Sequence, residues 1–138
     1  MTGTDPQRHP IVTESDVVRV RRVRQVVRAL AVAAKLSLVD QTKMVTAASE
    51  LARNTLVYGG GGEMMIDIVD NGRRHGVRAV FTDTGPGIPD LGLALTEGWT
   101  SGSGLGLGLT GSRRLVDEFT IDSSPGVGTT VRVVKWSR

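Results

Sequence analysis

Cysteine is absent from this sequence of 138 residues. That excludes disulfide staples, thiolate metal sites and cysteine nucleophiles. Histidine is nearly as scarce: His9 and His75 are too few for a multi-histidine metal centre. Aromatic residues make up only 4%, so no base-stacking pattern accompanies the basic residues, which disfavours nucleic acid as a partner. No apolar run approaches the roughly 20 residues that span a bilayer. Met1–Pro10 also lacks the apolar core of a signal peptide. These absences predict a soluble, cytoplasmic protein with no membrane attachment.

What is present is arginine and glycine. The formal charge is +3, and Arg19, Arg21, Arg22, Arg24 and Arg28 gather in one segment. Such a cluster suits a solvated helix face or a face that meets an acidic partner. Eighteen glycines exceed the usual share of about 7%. They concentrate at Gly59–Gly62, Gly85–Gly87 and Gly102–Gly111.

Periodicity divides the chain. Residues 1–9 read as a disordered leader and 10–138 as one domain, opening with a short edge strand at Ile11–Thr13. Val17, Val20, Val23, Val27, Leu30, Ala31 and Ala34 recur at helical spacing behind a cap at Ser15 or Asp16. A second helix starts near Asp40, a good N-cap, packs through Met44, Ala48, Leu51, Ala52 and Thr55, and ends at the glycines after Tyr58. Alternation then takes over. Met64, Ile66 and Ile68, an Asn71-Gly72 turn, and Val77, Ala79 and Phe81 form a hairpin that delivers Asp83 at its end. A short helix near 91–97 and a Gly/Ser stretch over 99–106 follow, then a helix over Leu107–Phe119. A hairpin turning at Pro125–Gly128 closes the chain. This order predicts an α+β, two-layer sandwich: a mixed, mostly antiparallel sheet with helices on one face.

Three groups of residues carry chemistry. Glu50 and Asn54 sit one turn apart on one side of a helix, off the packing stripe and directed along the rim of the core. Asn54 offers an uncharged oxygen to a hard cation such as Mg²⁺, and Glu50 is placed to accept a proton from an attacking hydroxyl. Taken alone, the pair fits an ordinary solvated helix face as well. The second group is the loop Asp83-Thr84-Gly85-Pro86-Gly87-Ile88-Pro89. It fits a plain tight turn, or a carboxylate that accepts the exocyclic amine of adenine while Gly85 and Gly87 admit the ring. The third, Gly102-Ser103-Gly104-Leu105-Gly106-Leu107-Gly108, precedes a helical segment. It fits a flexible loop, or backbone N–H groups cradling phosphate. No Gly-Lys-Ser/Thr follows, so it is not a P-loop, and its place after the Asp motif does not suit a Rossmann unit.

Taken together and in this order, the three groups resemble the GHKL superfamily, whose members share the Bergerat ATP-binding fold. Glu50–Asn54 resembles its N box, Asp83–Gly87 its first glycine box and Gly102–Gly108 its second. Gly126-Val127-Gly128-Thr129 is similar to the turn that sets a threonine near the adenine. The chain is too short to hold the transducer domains of topoisomerases and chaperones, and neither histidine lies in a helix suited to phosphoacceptance. Ser49–Asn54, Asp83–Asp90, Arg114–Phe119 and Val134–Trp136 point to the stand-alone serine/threonine kinases related to bacterial anti-sigma factors. The resemblance implies ATP bound by Asn54, Asp83, Gly85, Gly87, Ile88, the 102–108 run and Thr129, Mg²⁺ held by Asn54, and Glu50 as the catalytic base. It implies a STAS-domain antagonist as substrate in a stress-response partner switch, with a sigma factor or a downstream phosphatase as further partners. The alternative it leaves is an anti-sigma factor or nucleotide-dependent module that acts by sequestering a partner.

Overall fold

The computed structural model describes residues 6–11, 16–57, 59–87 and 109–138. Strands β1 (Gln7–Ile11), β2 (Gly62–Asp70), β3 (His75–Asp83), β4 (Glu118–Ser124) and β5 (Gly128–Trp136) form one sheet in the order β1-β2-β3-β5-β4. Every pairing among the described residues is antiparallel, which sharpens the mixed sheet expected from sequence. Helices α1 (Asp16–Ala33), α2 (Leu38–Val57) and α3 (Leu109–Leu115) contribute to a single buried core with the sheet.

The alternation in β2 and β3 decides which face carries the helices. Met64 pairs with Phe81, Ile66 with Ala79 and Ile68 with Val77, and all six are buried. Val131 and Val133 extend this row on β5. The residues between them point the other way, where Arg78 clasps Asp67 (2.6 Å) and Arg8 meets Glu63 (2.8 Å). Charges on one face and aliphatics on the other fix the register, because a one-residue slip would exchange them. The β2–β3 turn is tied by Asn71, whose side-chain oxygen accepts the N–H groups of Arg73 (3.0 Å) and Arg74 (2.8 Å).

Helix α1 buries Val20, Val23, Val27, Leu30 and Ala31, with Ala34 buried just past its end, as the periodicity predicts. It ends in a Schellman turn: the Leu36 N–H donates to the Ala31 carbonyl at 3.0 Å, and Lys35 adopts φ 65°. Helix α2 packs through Met44, Ala47, Ala48, Leu51, Ala52, Thr55 and Leu56. Truncating one large member, such as Leu51, to alanine would cost about 2–5 kcal/mol.

Three boundaries differ from the sequence expectation. The cap of α2 is Ser37, whose hydroxyl accepts the Asp40 N–H at 3.1 Å. Asp40 instead turns inward, 3.6 Å from buried Lys135 and 3.7 Å from Arg138. The edge strand lies at Gln7–Ile11, so pairing with Ile66–Gly62 begins inside the segment read as leader. The helix expected over Leu107–Phe119 is α3, which stops at Leu115. The Asp117 N–H donates to Val134 (2.9 Å), and Phe119 joins β4 opposite Val133. The helix expected near 91–97 and the Gly/Ser stretch lie outside the described residues.

Candidate functional site

Asp83 is the last residue of β3, opposite Thr129 at the start of β5. Strand pairing therefore presents its carboxylate at the sheet's end, beside the C-terminal turns of α2. The Gly85 N–H donates to Asp83 Oδ1 at 2.9 Å, and the Thr129 N–H also bonds this carboxylate. Burial raises the Asp83 pKa above the usual carboxylate range, and these two N–H donors offset only part of the rise. A carboxylate set in this way, with limited solvation and fixed orientation, is suited to accept a hydrogen bond from a ligand.

Glycines make room for it. A Cβ on Gly59 would lie 2.6 Å from Asp83 Oδ2, and one on Gly85 would lie 2.7 Å from the Gly59 Cα. Gly128 (φ 139°) lies against the Asp83 carbonyl, and Gly87 (φ 77°) against the Ser124 carbonyl. At Gly87 and Gly128 the positive φ also favours glycine. The first glycine loop is thus clamped between the end of α2 and the β4–β5 turn. The Gly126 N–H, donating to Pro86 at 2.8 Å, closes the same contact.

Asp83 faces a narrow cleft lined by Leu51, Asn54, Thr55, Gly59, Phe81, Gly87, Leu109, Ile121, Thr129 and Val131. Its walls are apolar and come from α2, β3, α3, β4 and β5. The polar groups converge at few points. Thr129 is fixed by a 2.8 Å hydrogen bond with Ser123, and half-buried Asn54 projects from α2. A slot with apolar walls and one acceptor fits a flat heteroaromatic ring that carries an N–H donor. A ring presenting a carbonyl at that point would meet the carboxylate's own negative charge. Among the described residues no group of three or more acidic or histidine side chains could hold a metal. A cation here would take an amide oxygen such as that of Asn54 and complete its shell from ligand oxygens and water, in the manner of Mg²⁺.

The structure therefore brings Asn54, Asp83, Gly87 and Thr129 to one cleft. Gly85 stands behind it as a hydrogen-bond donor to Asp83. Glu50 lies one turn from Asn54 on α2, half-buried, and is not among the residues that line the cleft. Ile88 and the run Gly102, Ser103, Gly104, Leu105, Gly106, Leu107 and Gly108 lie outside the described residues. Sequence reasoning missed Gly59 and the apolar walls Phe81, Leu109, Ile121 and Val131. The walls carry no signal beyond strand and helix periodicity. Gly59 does carry one, since it follows α2 at the point where Asp83 must approach.

Residues 39–137 match the family of histidine kinase-, DNA gyrase B- and HSP90-like ATPases. The chain is 41% identical to the serine/threonine-protein kinase RsbT of Bacillus subtilis over 129 residues, covering 93% of this chain and 94% of that one. It is 33% identical to an anti-sigma F factor of Bacillus licheniformis over 103 residues, 70% of this chain and 69% of the other. Among solved structures, it superposes on the crystal structure of the RsbU and RsbW domains of a Mycobacterium tuberculosis protein with a TM-score of 0.66. That match covers 98% of this chain and 33% of the larger one at 21% identity, and it speaks to the fold alone.

Proposed function

Because the chain belongs to the family of histidine kinase-, DNA gyrase B- and HSP90-like ATPases, we propose that it is an ATP-dependent protein serine/threonine kinase of a bacterial partner-switching pathway. Its substrate in this reading is a STAS-domain antagonist, its metal Mg²⁺ and its compartment the cytoplasm. The 41% identity to a serine/threonine-protein kinase along nearly the whole chain supports the activity. No helix among the described residues is long and apolar enough to cross a membrane.

The observation that carries the reading is the Asp83 slot. In it Asp83 accepts the exocyclic amine of adenine, Phe81, Ile121 and Val131 enclose the ring, and Thr129 stands at its edge. Gly85 and Gly87 let the loop pass close to the base, and Ile88 would contact it. The backbone N–H groups from Gly102 to Gly108, through Ser103, Gly104, Leu105, Gly106 and Leu107, hold the phosphates. Asn54 would hold Mg²⁺ through its side-chain oxygen. Magnesium, when bound, neutralises charge on the phosphates during transfer. Glu50 accepts the proton from the substrate's serine or threonine hydroxyl as that oxygen bonds to the γ-phosphorus and ADP leaves. General-base assistance of this kind is worth ~10² to 10⁴ in rate.

A second reading is favoured by the anti-sigma F factor relatives: the main output is sequestration of a partner, such as a sigma factor or a downstream phosphatase. Incubation with labelled ATP, Mg²⁺ and candidate STAS proteins separates the two. Label transferred to a STAS protein, and suppressed by Glu50→Ala without loss of nucleotide binding, supports the kinase. ATP bound tightly with no transfer to any candidate supports sequestration.

A further inference from the structure

Among the described residues of the two helices, three of the four exposed large aliphatic side chains lie at the corner between α1 and α2, the fourth, Val57, being at the far end of α2. Val32 is 57% exposed, Leu38 73% and Val39 64%. A single exposed aliphatic is ordinary, but a contiguous group is informative. These three fall within residues 32–39, which span the turn between the helices. Arg28 Nη1 crosses between the helices to Gln41 Oε1 (3.3 Å) and Thr42 Oγ1 (3.5 Å). Val32 is one turn beyond Arg28 toward the corner, and Leu38 is one turn beyond Thr42 in the same direction. The helical repeat therefore places Val32 and Leu38 at the same, corner end of that contact, with Val39 next along the chain.

The rim of this patch has one sign. Lys35 sits in the turn between the helices and Lys43 one turn along from Val39. Both are exposed and without an ion-pair partner among the described residues. Arg28 borders the other side. The acid closest in sequence, Asp40, is buried and already neutralised by Lys135 and Arg138. A second copy placed by two-fold symmetry would bring lysine against lysine, so self-association is disfavoured.

We infer that the α1–α2 corner is a docking surface for a partner protein that presents an apolar face rimmed by acidic residues. Val32, Leu38 and Val39 supply the desolvated centre, while Lys35, Lys43 and Arg28 set orientation and exclude basic partners. Leu38 and Asn54 stand at opposite ends of α2, about 24 Å apart at 1.5 Å per residue. A partner seated on the corner therefore leaves the Asp83 cleft open. This surface is separate from any site where a hydroxyl meets the phosphates, and it does not depend on the kinase reading.

The test uses the full chain and two designed helical peptides with the same leucine face, one flanked by glutamate and one by lysine. Amide NMR shifts are recorded for each. The acidic peptide is expected to bind and to move the signals of residues 28–43. Leu38→Glu with Val39→Glu, and separately Val32→Glu, should each weaken it at least tenfold. Affinity for a non-hydrolysable ATP analogue should remain unchanged in all variants, which also reports an intact fold. Equal binding of the two peptides, shifts centred elsewhere, or self-association in sedimentation that the variants abolish would each overturn the inference.

Discussion

The Gly59 Cα rests against the Asp83 carboxylate so closely that an added methyl carbon would sit 2.6 Å from Oδ2. The end of α2 thereby fixes the side chain at the end of β3. Gly59→Ala should push Asp83 away from the N–H groups of Gly85 and Thr129. We expect at least a tenfold loss of ATP affinity, equivalent to about 1.4 kcal/mol, measured by calorimetry. Gly111→Ala is the control, because a Cβ there meets nothing within 4 Å and affinity should not change.

Asp83→Asn separates binding from stability. The folded-state pKa of Asp83 is raised, chiefly by burial. The protonated form is thus favoured by folding, and that contribution to stability is present at acid pH and lost as pH rises through the folded pKa. At neutral pH the ionised group costs stability that asparagine does not. The variant should therefore melt above the wild type at pH 7, with the difference closing below the ordinary carboxylate range, while ATP affinity falls about 10- to 100-fold. Thermal melts across pH, paired with nucleotide titration, check both halves.

Asp117 runs the other way. Burial would raise its pKa, but the Trp136 N–H at 2.7 Å, together with Lys135 and Arg138, outweighs burial and leaves it lowered. Its contribution is present at neutral pH and is lost as pH falls through the folded pKa. Asp117→Asn should lower the melting temperature at pH 7 and make no difference in strong acid. Lys135→Ala should cost more, about 3–5 kcal/mol, because it removes the buried cation between Asp40 and Asp117. Urea unfolding at pH 7 measures it.

Two substitutions should stabilise. The Ser112 hydroxyl is 1% exposed and lacks a hydrogen-bond partner among the described residues, so Ser112→Ala should gain about 1–3 kcal/mol. Lys35 holds φ 65° at the end of α1, a position where glycine carries no steric cost. Lys35→Gly should gain about 1 kcal/mol. Both are read from urea midpoints with an unchanged slope.

Much of this was legible in the sequence, for physical reasons that differ by element. The alternation of Met64, Ile66 and Ile68 against Val77, Ala79 and Phe81 could fit only one hairpin face, and the valine stripe of α1 only one helix face. Asn54, Asp83, Gly87 and Thr129 were nameable because polar or flexible residues at fixed spacing stand out from packing. The apolar walls of the cleft did not stand out, since Phe81, Ile121 and Val131 follow the same alternation as any core strand. Gly59 reads locally as a helix stop, and its second task depends on a contact with residue 83 that no local pattern encodes. Ser37 and Asp40 are both good caps by residue type. What decides between them is the distant Lys135, which draws Asp40 inward.

Recognition of adenine by the Asp83 carboxylate is the step on which the proposed kinase activity depends. Calorimetric titration of the protein with Mg·ATP and with Mg·GTP, repeated on Asp83→Asn, tests that most directly. Saturable binding of ATP, much weaker binding of GTP and loss of the ATP signal in the variant are predicted. No heat with either nucleotide at millimolar concentration, or ATP binding unaltered by Asp83→Asn, would contradict it.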